Sequence, residues 1–554
     1  MAEGRDRAKS ASWTELFRCF QVALDPRKLL AAAAGILVMS VGWYILSAIF
    51  YYKAPERSDA KYQNSTLTKE YEGKNETELN ELGNLAFERD RAEWRELADL
   101  AVPANAGAPA TEKTPAVAPS PAGRLRTMPW DEYRGPNPFL FVTSVIGGSA
   151  AERSESIGGF ISGSLPVLME PLFKLLLPVT KIVSPGVSPQ TRVYLFSVLL
   201  WSLAVWGFFG GIITRLAAVQ LAGKGPVTFR QTIQFVATRY LNYLLSPMVP
   251  LGIVAAVVVG LFLYGSLALI PFLGDIVFYG LGLPLIVLGG AIMAVFLVGL
   301  VGYPLMYPTL SAEGDSSDTF DALSRSINYV YQAPWQYLWY WVVSIFYGAA
   351  VTFFVLFFAS LMVYVGKWAV GLPASAMYSD RKPEFLFVYA PESFGWKELL
   401  LKDSPYEVKH SAIETARGRR VDVYSPVNPE ADAANRRENW SYNTFGSRLV
   451  GLWLGVLFLM MLGFSYSFFW TASTVIYFLM RKRIDEAEMD DVFMEEEEPT
   501  IPAFTPKSPP PPPPATSPTS LPVIQAPPPP PPPIPLATNP PPPPPPSANG
   551  DKLA

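Results

Sequence analysis

One cysteine and one histidine occur among 554 residues, Cys19 and His410. A single cysteine excludes an intrachain disulfide framework and any cysteine-cluster metal site. A solitary histidine leaves no readable Ser-His or Cys-His pair. The sequence therefore offers no catalytic, cofactor-binding or metal-ligating residues, and it argues against an enzyme. Charge is also scarce, at 17% of residues with a formal net of −4. Without a basic stripe or a nucleic-acid motif, nucleic acid is not an expected partner.

Apolar residues are abundant instead. They make up 50% of the chain, at a mean hydropathy of +0.21, too much for an ordinary soluble multidomain protein. A spanning helix needs about 20 apolar residues. Six stretches qualify: Leu29 to Tyr52, Val193 to Ile213, Met248 to Ile270, Leu281 to Tyr303, Tyr337 to Val365 and Leu449 to Met480. Lipid leaves bare backbone groups unsatisfied, so all six read as helices. The first is too long for the apolar region of a cleavable signal peptide.

Basic residues orient the chain. Arg27 and Lys28 precede the first span, Arg215, Lys224, Arg230 and Arg239 separate the second from the third, and Arg481, Lys482 and Arg483 follow the sixth. All three clusters fall on one side, which places both termini in the cytoplasm and 53–192 and 366–448 outside it; Lys53, Arg57 and Lys61 count against this. Asn64, Asn75 and Asn439, in Asn-X-Ser/Thr triplets, all fall outside.

The polar regions have distinct characters. Residues 1–28 carry Trp13, Leu16, Phe17, Phe20 and Leu24 at helical spacing, an amphipathic segment ended at Asp25-Pro26, with Arg27 and Lys28 held at the headgroups. Leu79, Leu82, Ala86, Trp94, Leu97 and Ala101 form one face of a mostly solvated helix, interrupted by Asp90; Arg89 with Glu93 and Arg95 with Asp99 are spaced to pair. A Pro/Ala linker follows at 102–122. Ile157 to Val183 is apolar but broken by Pro166, Pro171 and Pro178, with Glu170 and Lys174 inside, and reads as short helices on the outer surface; a re-entrant segment is the alternative. In 366–448, Phe385 to Val388 suits a buried strand. The tail, 481–554, holds an acidic run and three uninterrupted proline stretches. It is read as disordered polyproline II, either a solvated spacer or a ligand for a cytoplasmic polyproline-binding protein.

The stretch after Pro308 contains a helix capped by Asp318, with Phe320, Leu323, Ile327 and Val330 on one face, an Asp321–Arg325 pair, and a stop at Pro334 before an aromatic interface group. Sliding the chain by 91 residues lays Thr228 to Tyr240 over Thr319 to Tyr331, the sign of a parallel repeat. The predicted spans contain no Asp, Glu, Lys, Arg or His, although Asp275 lies in a short outer loop. Gly289, Gly290, Gly299 and Gly302 read as sites of close helix packing. Glu313, Asp315, Asp318 and Asp321 are explained by capping and solvation rather than by cation binding.

The segments "FQVALDPRKLL", "WGFFGGIITRLAAVQLA" and "EGDSSDTFDALSRSINYVYQAPWQYL" resemble parts of uncharacterised multi-pass inner-membrane proteins of planctomycete-type bacteria, over about Trp13 to Met480. That resemblance implies a bacterial inner membrane, in which the Asn-X-Ser/Thr triplets are irrelevant and the outside segments are periplasmic. It supplies no catalytic residues.

The expectation is an all-α integral membrane protein. It has six transmembrane helices (29–52, four within 193–365, and 449–480), in-plane amphipathic elbow helices, a small mixed noncytoplasmic region from 53–192 and 366–448, and a disordered tail. Its expected surroundings are the lipid bilayer, and its expected role that of a non-enzymatic scaffold or interaction protein, with a permease or channel-like protein as the alternative.

Overall fold

A computed structural model describes residues 12–50, 55–71, 73, 75–101, 128–147, 165–184, 187–314, 317–376, 383–414, 420–438 and 441–494. The predicted linker, Asn439, Asp315, the Pro-rich tail and the side chains of Trp94, Leu97 and Ala101 lie outside the described residues. The chain divides into two units, and the second, Glu495–Ala554, holds no described residue.

Six helices are long and apolar enough to cross a membrane. Numbering in chain order, a 3₁₀ turn at Ser12–Arg18 leads into α1 (Cys19–Ala23), followed by α2 (Pro26–Ile49), the first span. Then come α3 (Asn64–Glu70), α4 (Glu76–Ala101), α5 (Pro138–Gly147) and α6 (Glu170–Val183). The second span is α7 (Pro189–Leu221), elbow α8 (Phe229–Thr238) follows, and α9 (Tyr240–Leu267) is the third span. α10 (Leu283–Gly299) and α11 (Tyr303–Glu313) together form the fourth, elbow α12 (Thr319–Gln332) follows, and α13 (Pro334–Ala376) is the fifth. After α14 (Trp396–Leu401) come β1 (Val408–Glu414) and β2 (Arg420–Pro426), then α15 (Pro429–Glu438) and the sixth span, α16 (Ser441–Ile484). We call the side of Pro26 and Ile484 proximal and the opposite side distal.

Span α16 forms the axis of the bundle. Every residue from Met461 to Arg481 is buried. Gly463 lets the backbone of α2 approach, since a Cβ there would lie 3.0 Å from the Leu29 carbonyl. Trp206 of α7 stacks on Tyr466 at 4.8 Å, and Tyr307 of α11 stacks on Trp470 at 4.9 Å. By contrast, α10 packs mainly on α9, to which a π-helical turn at Gly274–Leu281 joins it, and the two expose Val259, Phe262, Leu263, Leu285 and Leu297, as lipid-facing side chains do.

The elbows form for local reasons. Thr228 and Gln231 make a reciprocal capping box at the start of α8, and Asp318 accepts the Asp321 amide at 2.9 Å to cap α12. Each elbow then packs into a glycine of the preceding span. A Cβ at Gly211 would lie 3.0 Å from Val236, and one at Gly302, 91 residues on, would lie 3.0 Å from the Ser326 carbonyl. The same offset relates two hydrogen bonds: Tyr240 donates to the Ala204 carbonyl at 2.9 Å, and Tyr331 donates to the Val295 carbonyl at 2.8 Å. Spans two and three with α8 thus repeat, in the same direction, as spans four and five with α12. Of the four glycines marked for packing, Gly289, Gly299 and Gly302 receive a neighbour, whereas Gly290 faces open space.

Several local expectations are corrected. Arg215 lies inside α7 rather than beyond it, buried, with its guanidinium 3.9 Å from the Phe235 ring and donating to the Ser311 carbonyl at 2.7 Å. Lys28 is buried too, turned from any headgroup to Gln220 and the Val22 carbonyl, both at 2.7 Å. Phe385 to Phe387 lie in a 3₁₀ turn, because the strand pairing in this region is taken by β1 and β2, antiparallel with Val408 opposite Pro426. On α4, Arg89 turns to Asp90 rather than Glu93, and Glu93 accepts from the Ser188 hydroxyl at 2.8 Å. Asp90 interrupts the apolar stripe because Lys61 and Tyr62 hold it there, at 2.7 and 2.9 Å. The acidic run begins as folded chain: Phe493 covers Gly314 and donates its amide to the Ala312 carbonyl at 2.8 Å.

Candidate functional site

Buried charge concentrates in a distal hub. Arg134 directs Nε and Nη2 at the two oxygens of Glu170, both at 2.9 Å, in a bidentate pair. Its remaining donors reach Glu132, the Pro129 carbonyl and the Ser393 hydroxyl. Lys174, one helical turn beyond Glu170, joins Glu170 at 2.7 Å and Glu132 at 3.0 Å. Tyr466, on the axial span, donates to Glu170 at 3.3 Å. Two acids and two bases cancel, which is how such charges are tolerated away from water. Glu170, the first residue of α6, is thus buried against Tyr466 of α16, while Phe173, Leu176 and Val183 of the same helix are exposed.

A tight turn receives the hub. Phe394 and Gly395 both have left-handed backbone, φ 53° and 61°, and Phe394 is fully buried. That conformation is costly for phenylalanine. Here it aims the Phe394 carbonyl at Asn137 Nδ2, 3.0 Å away, and Asn137 also donates to Ser360 of α13 at 3.1 Å. The Trp130 carbonyl accepts the amides of Glu392 and Ser393 at 2.9 and 3.0 Å. Both distal segments and spans α13 and α16 are thereby clamped at one place.

Beside the clamp lies a carboxyl pair. Glu392 accepts from Lys397 on Oε1 at 2.7 Å, while its Oε2 is buried without a hydrogen-bond partner among the described residues. Burial, and next the charge of Glu392, push the Asp131 carboxyl up to about 6.

A second ionic cluster closes the proximal side. Glu313 accepts from Tyr477 at 2.9 Å and Arg325 at 3.1 Å, and Arg481 lies 3.3 Å away. Arg481 continues to Asp491 at 2.6 Å. Of the acids weighed in the sequence, Asp318 caps, Asp321 pairs with Arg325 at 3.1 Å, and Glu313 is an ion-pair centre. Asp275 sits in the π-helical turn, away from both clusters. His410 stacks on Tyr133 at 3.9 Å, a packing role. Cys19 is fully buried, and burial pushes its thiol up to about 12, far from a reactive thiolate. Among the described residues no group of three or more His, Cys, Asp or Glu side chains could hold a metal.

Sequence reasoning missed Arg134 altogether. The signal that was present is the Glu170–Lys174 spacing of four inside an apolar run, a pairing that only burial makes necessary. No known family, curated protein or solved structure matches the chain.

Proposed function

We propose that this multi-pass membrane protein is a non-enzymatic scaffold that holds its distal segments at a fixed place on a membrane bundle. The observation that carries the reading is the Arg134 hub. All its charges are spent on the chain's own groups, and they join 128–137, α6 and the 390–397 turn to spans α13 and α16. A transport site would keep ionisable groups disposed toward a pathway. In this reading the membrane is a bacterial inner membrane, the termini are cytoplasmic and the Pro-rich tail is a partner-binding segment.

A permease is the second reading, and two observations favour it. Spans two to five form a parallel repeat, as in some transporters. Ser344, Thr352, Ser465 and Thr471 are also buried hydroxyls without hydrogen-bond partners among the described residues. Photo-crosslinking from α4 and from the tail, paired with flux assays in proteoliposomes, separates the two. A defined crosslinked protein and flux equal to protein-free vesicles support the scaffold; solute-dependent flux above that background overturns it.

A further inference from the structure

Near the distal end of α13, a cavity of about 200 Å³ is lined by Tyr364, Lys367, Trp368, Gly371 and Leu372, and on its other wall by Pro383 and Glu384. A water occupies roughly 30 Å³, so this is room for a small polar group rather than a whole lipid.

The depth of the cavity is set by the helix. Trp335 and Trp339 are exposed at the proximal end of α13, and Trp368 is exposed at the distal end. From Trp339 to Trp368 the helix rises about 43 Å at roughly 1.5 Å per residue. A bilayer measures about 40–45 Å including its headgroup zones. The cavity therefore opens at the distal headgroup level, and exposed Phe354, Phe358, Met362 and Val365 descend below it on the same helix as a surface for acyl chains.

The lining carries both signs of charge. Lys367 gives one donor to the Leu400 carbonyl at 2.6 Å, leaving further ammonium hydrogens for an anion. Glu384 also lines the cavity, near enough for its charge to act on Lys367, and the described residues provide its carboxylate no hydrogen bond. Tyr364 and Trp368 add aromatic faces of the kind that attract organic cations. A phosphate alone would meet Lys367 but be repelled by Glu384. A group with a phosphate and an ammonium a few bonds apart satisfies both.

We infer that this cavity binds the headgroup of a zwitterionic phospholipid such as phosphatidylethanolamine, its phosphate on Lys367 and its ammonium between Glu384 and the Trp368 ring. The inference is independent of the scaffold reading. It is tested on the full chain in detergent by native mass spectrometry, titrating phosphatidylethanolamine, phosphatidylglycerol and soluble phosphoethanolamine. Phosphatidylethanolamine binds more tightly than phosphatidylglycerol, by about ten-fold, the worth of one charge-assisted contact. Glu384→Gln, which breaks no hydrogen bond among the described residues, removes that preference, and Lys367→Met weakens both lipids. Equal binding of the two lipids by the wild type, or an unchanged preference in Glu384→Gln, overturns the inference. Phosphoethanolamine binding as tightly as the lipid overturns the lipid assignment in favour of a soluble ligand.

Discussion

Arg134 and Glu170 form a two-pronged ion pair, with both contacts at 2.9 Å, beside the middle of the axial span. Removing one partner of a buried pair strands the other charge, at a cost of about 3–5 kcal/mol. Arg134→Met is expected to lower stability by that order in thermal unfolding of the detergent-solubilised protein. Arg134→Met combined with Glu170→Gln is expected to recover a large part of the loss. If the single variant unfolds like the wild type, the hub does not hold the distal segments.

The repeat makes a paired prediction. Tyr240→Phe and Tyr331→Phe each remove a hydrogen bond at equivalent places and are expected to cost about 0.5–1.5 kcal/mol apiece. Larger effects are expected at the paired glycines, because Gly302→Leu must push the Ser326 backbone away and Gly211→Leu must displace Val236. Gly290→Leu, which faces open space, is the tolerated control. Loss of folded protein with Gly290→Leu, but not with Gly302→Leu, would reverse the helix-packing argument.

Asp131 gives the pH dependence a sign. Its folded carboxyl titrates at about 6, against an ordinary value of 3.8, so the folded state binds the proton more tightly than the unfolded state. The stabilisation is fully present below the ordinary value and is lost as pH rises through about 6. Its full size is about 3 kcal/mol, since one pKa unit corresponds to about 1.36 kcal/mol. Unfolding temperatures in detergent should fall between pH 5 and pH 7.5 in the wild type and change less in Asp131→Asn. Parallel pH curves for the two proteins would exclude Asp131 as the source.

Orientation is testable with single cysteines in a Cys19→Ala background. A membrane-impermeant thiol reagent applied from outside intact cells should label a cysteine at position 404, in the distal region, and spare one at position 321, in elbow α12. Labelling of position 321 alone inverts the topology.

Much of the fold is legible in composition and period. Twenty-residue apolar runs mark each span, Asp318 and Thr228 mark the elbows, and the offset of 91 marks the repeat before any contact is known. Charges are harder to place. Arg215 and Lys28 look like interface residues because a basic side chain next to an apolar run usually is one; only the packing of Phe235 and Gln220 against them reveals burial. Arg134 is invisible because its partners lie up to 259 residues away in the chain. Phe385 to Phe387 have the composition of a strand but no neighbouring strand to pair with, and a strand exists only as half of a ladder.

The position of α16 has a consequence for synthesis. The helix that occupies the axis, with α2, α7, α11 and α13 arranged around it, comes after the other five spans in chain order. Until it emerges from the ribosome and enters, Trp206 and Tyr307 lack the rings they stack on, Trp341 lacks Phe469, and Glu170 lacks Tyr466. Until then α2, α7, α11 and α13 surround an unfilled centre. The growing chain is therefore most exposed to quality-control proteases, and most dependent on insertion factors, in the interval before α16 arrives.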